Sequence, residues 1–176
     1  SKQYEYSATE YILEMELLRE WLFENIPKEV VKPRLVHGDW RIDNIIFCKD
    51  SYKVIAVIDW ELSTLGDPRV DLAGQLMQWS MPGGVHTRGL KGTNRNELGL
   101  PEDKKYIEDY AAKALLSDVP DLRFATAFCY FRMGAILQGV KKRAIDGNAS
   151  NPEKGLEIGS HVQDFAVSAL EFVNKS

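Results

Sequence analysis

Between Leu35 and Phe47 the chain reads LVHGDWRIDNIIF, with His37, Asp39, Arg41 and Asn44 set between two runs of β-formers. Loops between strands favour Gly, Ser, Asn and Asp for backbone reasons, but they have no need of a His and a Trp as well. H-x-D-x-x-x-x-N places a carboxylate, Asp39, and an amide, Asn44, on one loop, and a second carboxylate, Asp59, ends the following strand in VIAVIDWE. Phosphoryl transfer asks for this set. One carboxylate orients and deprotonates an attacking hydroxyl, while an amide and another carboxylate hold the magnesium that bridges the nucleotide phosphates. A lone H-x-D is a weak signal. The full spacing, followed by G-D-P-x-x-D ending at Asp71, is far more specific.

Two other classes of function can draw on the same residues. A metal-dependent hydrolase could use His37, Asp39 and Asp59, but the chain has only three histidines, and His86 and His161 fall in a loop and a late helix. Two-metal sites usually draw on more ligands than that. A non-catalytic module that binds a nucleotide or a partner would be free to lose Asp39, Asn44 and Asp59, and all three are present.

These residues need elements to hold them. Residues 34–37, 44–48 and 54–59 read as short strands, expected to be buried, with Lys49-Asp50-Ser51-Tyr52 as the turn between the last two. Upstream, Ala8, Ile12, Met15, Leu18, Leu22 and Ile26 recur at helical spacing. Ser7 with Glu10 fits a capping box and Pro27 closes that segment. Asp67-Pro68 opens a helix to about Trp79, and three more are expected over 102–117, 121–146 and 155–174. The middle one, with Phe124, Phe128, Phe131, Ile136, Leu137 and Val140, is expected to be the central buried helix. Arg132 within it is read as paired to a buried carboxylate, with a clamp on a substrate phosphate or carboxylate as the alternative. Residues 80–101 are glycine-rich and aperiodic, a long loop read as a substrate lid, with a mobile connection as the alternative, and Gly83, Gly84 and His86 favour substrate contact. Trp40, Trp60 and Trp79 read as core and pocket walls, and Asp43 as a solvent-facing or turn-capping acid rather than a ligand.

At 176 residues and a formal net charge of −4, the composition is that of an ordinary globular chain with one sizeable core, or one lobe of a larger enzyme. The charge argues against nucleic acid or an anionic membrane as partner. The local cluster Lys141-Lys142-Arg143 is a solvated C-terminal helical turn. No run is apolar enough to span a bilayer and Ser1-Lys2-Gln3-Tyr4 does not open a signal peptide. Cys48 and Cys129 lack any metal-ligand spacing and read as free thiols in a reducing compartment, the cytoplasm or a reducing organelle lumen.

HGDWRIDN, IDWE and GDPRVDLA together resemble the aminoglycoside-phosphotransferase-like kinases, relatives of the protein kinases. GLKGTNRNELGLP and FRMGAILQGVKKRAIDGNAS are similar to the branch found beside, or fused to, acyl-CoA dehydrogenases. The resemblance implies an α+β, mostly α fold: a protein-kinase-like C-terminal lobe over residues 1–176, with a small catalytic β-hairpin and a helical bundle. It implies ATP as cosubstrate and Mg2+ as cofactor, Asp39 as catalytic base, Asn44 and Asp59 as metal and nucleotide ligands, and Arg41 near the transferred phosphate. His37 and Asp71 would shape and support the loop. The acceptor would be a hydroxyl of a small molecule, with a hydroxyacyl or hydroxyacyl-CoA compound hinted at by the branch. No Gly-rich loop and no V-A-I-K-like lysine precede residue 34, and the chain starts without Met. The expectation is therefore a lobe of a longer polypeptide, with little turnover apart from its nucleotide lobe.

Overall fold

A computed structural model describes residues 2–28, 31–83, 89–116, 118 and 120–174. The chain divides into two compact units: Ser1–Lys28 with Arg123–Ser176, and Glu29–Leu122.

The first unit is a helical bundle. Helices α1 (Lys2–Ser7) and α2 (Leu13–Glu24) come from its N-terminal part, and α5 (Arg123–Ile145), α6 (Pro152–Gly159) and α7 (Val162–Asn174) from its C-terminal part. All four shorter helices pack on α5. Met15, Leu18 and Leu22 of α2 are buried at spacings of three and four, as one apolar helix face requires. Tyr4 meets Phe131 at a tilt of 59° with ring centres 5.7 Å apart, and Tyr130 meets Phe165 edge-on at 6.2 Å. The α5 side of this core is built mainly from small residues, among them Ala125, Ala127, Gly134 and Ala135. Phe128 and Ile136, expected inside, are 37% and 42% exposed. The helix is central, but one of its faces is uncovered.

The helix expected from Ser7 onward starts only at Leu13, and a short helix, α1, precedes it. Ser7 closes α1, its hydroxyl donating back to the carbonyls of Gln3 and Tyr4 rather than capping the helix after it. Thr9 accepts from Gln138 and Glu10 pairs with Lys141, so tertiary contacts to α5 hold residues 8–12 out of helix. The segment expected as one helix over 155–174 also splits. Asn151 accepts the Lys154 N–H and Pro152 sits at the first helical position, so α6 starts early and ends at Gly159. Gly159 is needed where it stands, since a Cβ there would lie 2.4 Å from Cβ of Lys141.

The second unit carries the loop of interest. Its strands are β1 (Arg34–Val36), β2 (Ile45–Phe47), β3 (Val54–Val57) and β4 (Thr64–Gly66), paired as two separate antiparallel ribbons, β1 with β4 and β2 with β3. The β4 partner was not anticipated. In the hairpin, Ile45 faces Val57 and Ile46 faces Ala56, and a register shift follows before Phe47 pairs with Val54. The expected turn closes it, with Tyr52 in the left-handed region. In that turn the Ser51 hydroxyl and the Asp50 and Ser51 N–H groups draw the Cys48 thiol below its ordinary pKa. The strands are not buried as expected: Leu35, Ile55 and Leu65 are 61%, 65% and 76% exposed. β-branched and aromatic composition reports a fit to pleated backbone, and a two-stranded ribbon has no second layer of its own to cover it.

Helices α3 (Arg69–Ser80) and α4 (Asp103–Lys113) complete the unit, with Leu72, Leu76 and Leu122 forming a small core against Trp79, Tyr106, Ile107 and Tyr110. The long loop between them contains a bridge from Pro82 to Lys91 and a 3-10 turn over Arg95–Leu98. Gly84 and His86, read as substrate contacts, lie outside the described residues. Cys48 and Cys129 are free thiols, the second of them buried.

Candidate active site

The loop after β1 is held from three sides. Its glycine, Gly38, has φ +83°, and a Cβ there would stand 2.5 Å from the Leu62 carbonyl oxygen, so no side chain fits. From α3, the half-buried Asp71 carboxylate accepts the His37 N–H at 2.6 Å on one oxygen and the Gly38 N–H at 2.9 Å on the other. Asp71 is delivered there by the helix start, where Asp67 accepts the Arg69 N–H at 2.9 Å and pairs with its guanidinium at 2.7 Å.

The third tether is His37, only 2% exposed. Its Nε2 lies 2.9 Å from the Ile58 carbonyl, and its Nδ1 accepts the Asp39 N–H at 3.3 Å. Those two bonds put the ring proton on Nε2 and occupy both nitrogens, which leaves no lone pair for a metal. Trp60 lies against the ring at 4.6 Å and Trp40 edge-on at 5.9 Å. Trp60 is 42% exposed, a flank of the histidine rather than a core residue.

Asp39 and Asn44 come together. The buried Asn44 amide nitrogen donates to the Asp39 carbonyl at 2.8 Å and to the Asp39 carboxylate at 3.0 Å. The backbone of Asn44 accepts the Ile58 N–H at 2.9 Å, so the end of the loop is fastened to the strand that leads into Asp59. Asp59 itself is exposed and left-handed, at φ 64° and ψ 53°. Aspartate tolerates that region better than most residues, and such backbone is often found at functional sites. Among the described residues its carboxylate has no hydrogen-bond or ion-pair partner. Arg41 is turned onto Asp43 at the surface, donating from Nε at 2.9 Å and Nη2 at 2.7 Å.

Residues not anticipated from the sequence surround this loop. Tyr106 and Tyr110, one turn apart on α4, are both half-buried. Burial raises the Tyr106 phenol above its ordinary pKa, against a smaller opposing effect from the Trp40 indole bonded to it. Burial also raises Tyr110, and the Asp71 and Asp67 charges add to it. Behind them Trp79 stacks on Tyr106 at 4.8 Å with the Arg95 guanidinium 5.1 Å above its ring. The Y-x-x-x-Y spacing was the available signal. Arg132 lies on α5 in the other unit, half-buried, and among the described residues it has neither the carboxylate expected for it nor any hydrogen-bond partner.

Known proteins share much of this sequence and fold. Residues 1–122 match the family model described as "Phosphotransferase enzyme family". Mouse acyl-CoA dehydrogenase family member 10 is 37% identical over 176 residues, covering 99% of this chain and 16% of its own length. Human acyl-CoA dehydrogenase family member 11 is 36% identical over 177 residues, covering all of this chain and 22% of its own. The chain thus spans less than a quarter of these relatives. A solved structure from Ralstonia eutropha JMP134, assigned as an aminoglycoside phosphotransferase, superposes with a TM-score of 0.91 at 38% identity over 99% of this chain and 53% of that one. A mostly helical α+β fold, a loop bound together through Asp39, Asn44 and Asp71, and a family match over most of the chain lead to one assignment: the chain belongs to the phosphotransferase enzyme family and has its kinase-like fold.

Proposed function

We propose that this site, within its complete polypeptide, transfers the γ-phosphoryl group of ATP to a hydroxyl of a small molecule. The names of its relatives carry acyl-CoA, and since transfer needs a hydroxyl the acceptor in this reading is a hydroxyacyl compound or its CoA thioester. The observation that carries the reading is the Asn44 amide bonded to both the carbonyl and the carboxylate of Asp39. That bond fixes one carboxylate oxygen and leaves the other to take a proton.

In this reading Asp39 orients the acceptor hydroxyl and removes its proton as the oxygen attacks the γ-phosphorus. The new O–P bond forms as the bond to the β-phosphate oxygen breaks and ADP leaves. Asn44 has spent its amide nitrogen on Asp39, so its oxygen remains as a ligand, and Asp59 offers a carboxylate with no partner among the described residues. Both are hard oxygen ligands of the kind magnesium takes, and these two residues would hold it. When bound, that ion supplies charge neutralisation along the phosphates. Arg41 stabilises charge on the transferred group only after releasing Asp43, and that exchange is cheap because an exposed ion pair contributes about 0–1 kcal/mol. His37 and Asp71 keep the loop in shape. The loop that covers the phosphates, and its lysine, come from the rest of the polypeptide.

The test is magnesium-dependent transfer from ATP by the complete protein, with hydroxy acids, hydroxyacyl-CoA esters, amino sugars and choline-like alcohols as acceptors. Asp39→Asn serves as control and is expected to lower transfer by roughly 100-fold or more while nucleotide still binds. Undiminished transfer in Asp39→Asn would remove Asp39 from its role. Nucleotide binding without transfer to any acceptor would favour a binding module instead.

A further inference from the structure

Two helices of the second unit hold Asp39 from its two sides. Asp71 of α3 fastens the His37 and Gly38 amides, the two that precede it. Trp40, the residue that follows it, reaches α4, where its indole N–H donates to the Tyr106 phenol oxygen. The two helices are packed on each other, with Tyr106, Ile107 and Tyr110 against the core of Leu72, Leu76 and Leu122. Farther along α3, Trp79 lies against the Tyr106 ring at 4.8 Å. The Arg95 guanidinium, 5.1 Å above Trp79 and tied to Asp103 at 2.6 Å, closes that stack. All of these residues belong to the same unit as Asp39. Phenylalanine at position 106 would serve the packing equally well. What the hydroxyl adds is an acceptor for an indole N–H that is half out of water, and burial keeps that phenol neutral. The Trp40 ring also stands edge-on to His37 at 5.9 Å, so it is set between the loop's own histidine and α4.

We propose that Tyr106 is a positioning residue, which through the Trp40 indole fixes the peptide after Asp39 and so aims the Asp39 carboxylate. The inference rests on the transferase reading, in which Asp39 takes the acceptor's proton. Asn44 fixes one oxygen of that carboxylate from within the loop. The direction of the carboxylate depends as well on the backbone that carries it, and a hydrogen bond on each flank of Asp39 holds that backbone. A small displacement of a base from its working geometry costs rate out of proportion to the bond that was lost. Tyr106 touches neither phosphate nor acceptor in this account, and it acts on transfer only through Trp40.

Tyr106→Phe keeps the ring on Trp79 and removes the oxygen that Trp40 binds. In the complete protein it is expected to lower kcat for transfer by about tenfold, with KM for ATP within about twofold. Combined with Asp39→Asn it should lower the residual transfer no further, because the group it aims is gone. A phenol that served the fold alone would lower transfer by the same factor in both backgrounds. A second readout needs no turnover. In protein labelled with 5-fluorotryptophan, the 19F resonance of Trp40, identified by its loss in Trp40→Phe, should shift in Tyr106→Phe. An unmoved resonance overturns the proposal, and so do an unchanged kcat in Tyr106→Phe and a further loss where Asp39→Asn is already present. A shifted resonance in a protein that transfers no phosphate to any acceptor upholds the hold of Tyr106 on the loop and refutes the transferase reading. Transfer that needs magnesium, is lost in Asp39→Asn and is indifferent to Tyr106 does the reverse.

Discussion

The Asp71 carboxylate satisfies two successive amides, those of His37 and Gly38, immediately before Asp39. An asparagine there keeps one acceptor oxygen but turns an NH2 towards the second amide, donor against donor. Leaving a part-buried N–H without its partner costs about 1–3 kcal/mol. Asp71→Asn should therefore lower the urea midpoint with the slope unchanged, and lower transfer as well, because Asp39 is the next residue along. A variant with an unaltered midpoint would show that water replaces the lost bond. At this scale much could be read in advance, since Asp39 and Asn44 lie on one short loop and their spacing alone brings them together. Contacts between residues distant in sequence could not. Nothing local links Trp40 to Tyr106, sixty-six positions apart.

Elements follow from contacts as much as from propensity, and the α5–α6 pair shows it. Gly155 and Gly159 let α6 approach α5 until a Cβ at Gly159 would stand 2.4 Å from that of Lys141. Backbone cannot yield that distance cheaply, so Gly159→Ala should cost about 1–3 kcal/mol. A thermal melt would register it as a drop of several degrees. A melt unchanged within a degree would mean that α6 can slide on its neighbour. The same tertiary pull explains the misplaced helix boundaries. Ser7 and Glu10 have the spacing of a capping box, yet Glu10 is taken by Lys141 and Thr9 by Gln138, both far along the chain. A pattern confined to a few residues cannot show such a competitor. β4 is illegible in the sequence for a related reason, since Thr64-Leu65-Gly66 is too short to carry alternation and forms only because β1 offers it an edge. Asp67-Pro68, by contrast, acts within two residues through the bond to the Arg69 amide, and the start of α3 fell close to where it was expected.

At the scale of the whole molecule, the second unit holds the phosphotransferase loop on a hairpin whose outer residues remain in water. Ile46, Phe47, Val54 and Ile55 are 42%, 40%, 55% and 65% exposed, an apolar concentration that a functioning protein normally covers. The solved relative devotes 53% of its chain to what is matched here, and the curated relatives less than a quarter of theirs. In the proposed reading Asp39, Asn44 and Asp59 would provide a base and metal ligands, but none of them would grip the phosphates from above, and no glycine-rich loop precedes residue 34 in this sequence. Residues 1–176 expressed alone should therefore fold, with cooperative unfolding detectable by circular dichroism, and yet transfer no phosphate above background. A polypeptide that joins this chain to a nucleotide-binding lobe should transfer it, and its Asp59→Ala variant should bind ATP more weakly at low magnesium while losing little without the ion. That difference is expected because, in the proposed reading, Asp59 acts on nucleotide through the metal. Turnover by residues 1–176 alone would show that the phosphates are held by groups already within this chain, and Asp59→Ala with unchanged affinity at every magnesium concentration would release that residue from the metal.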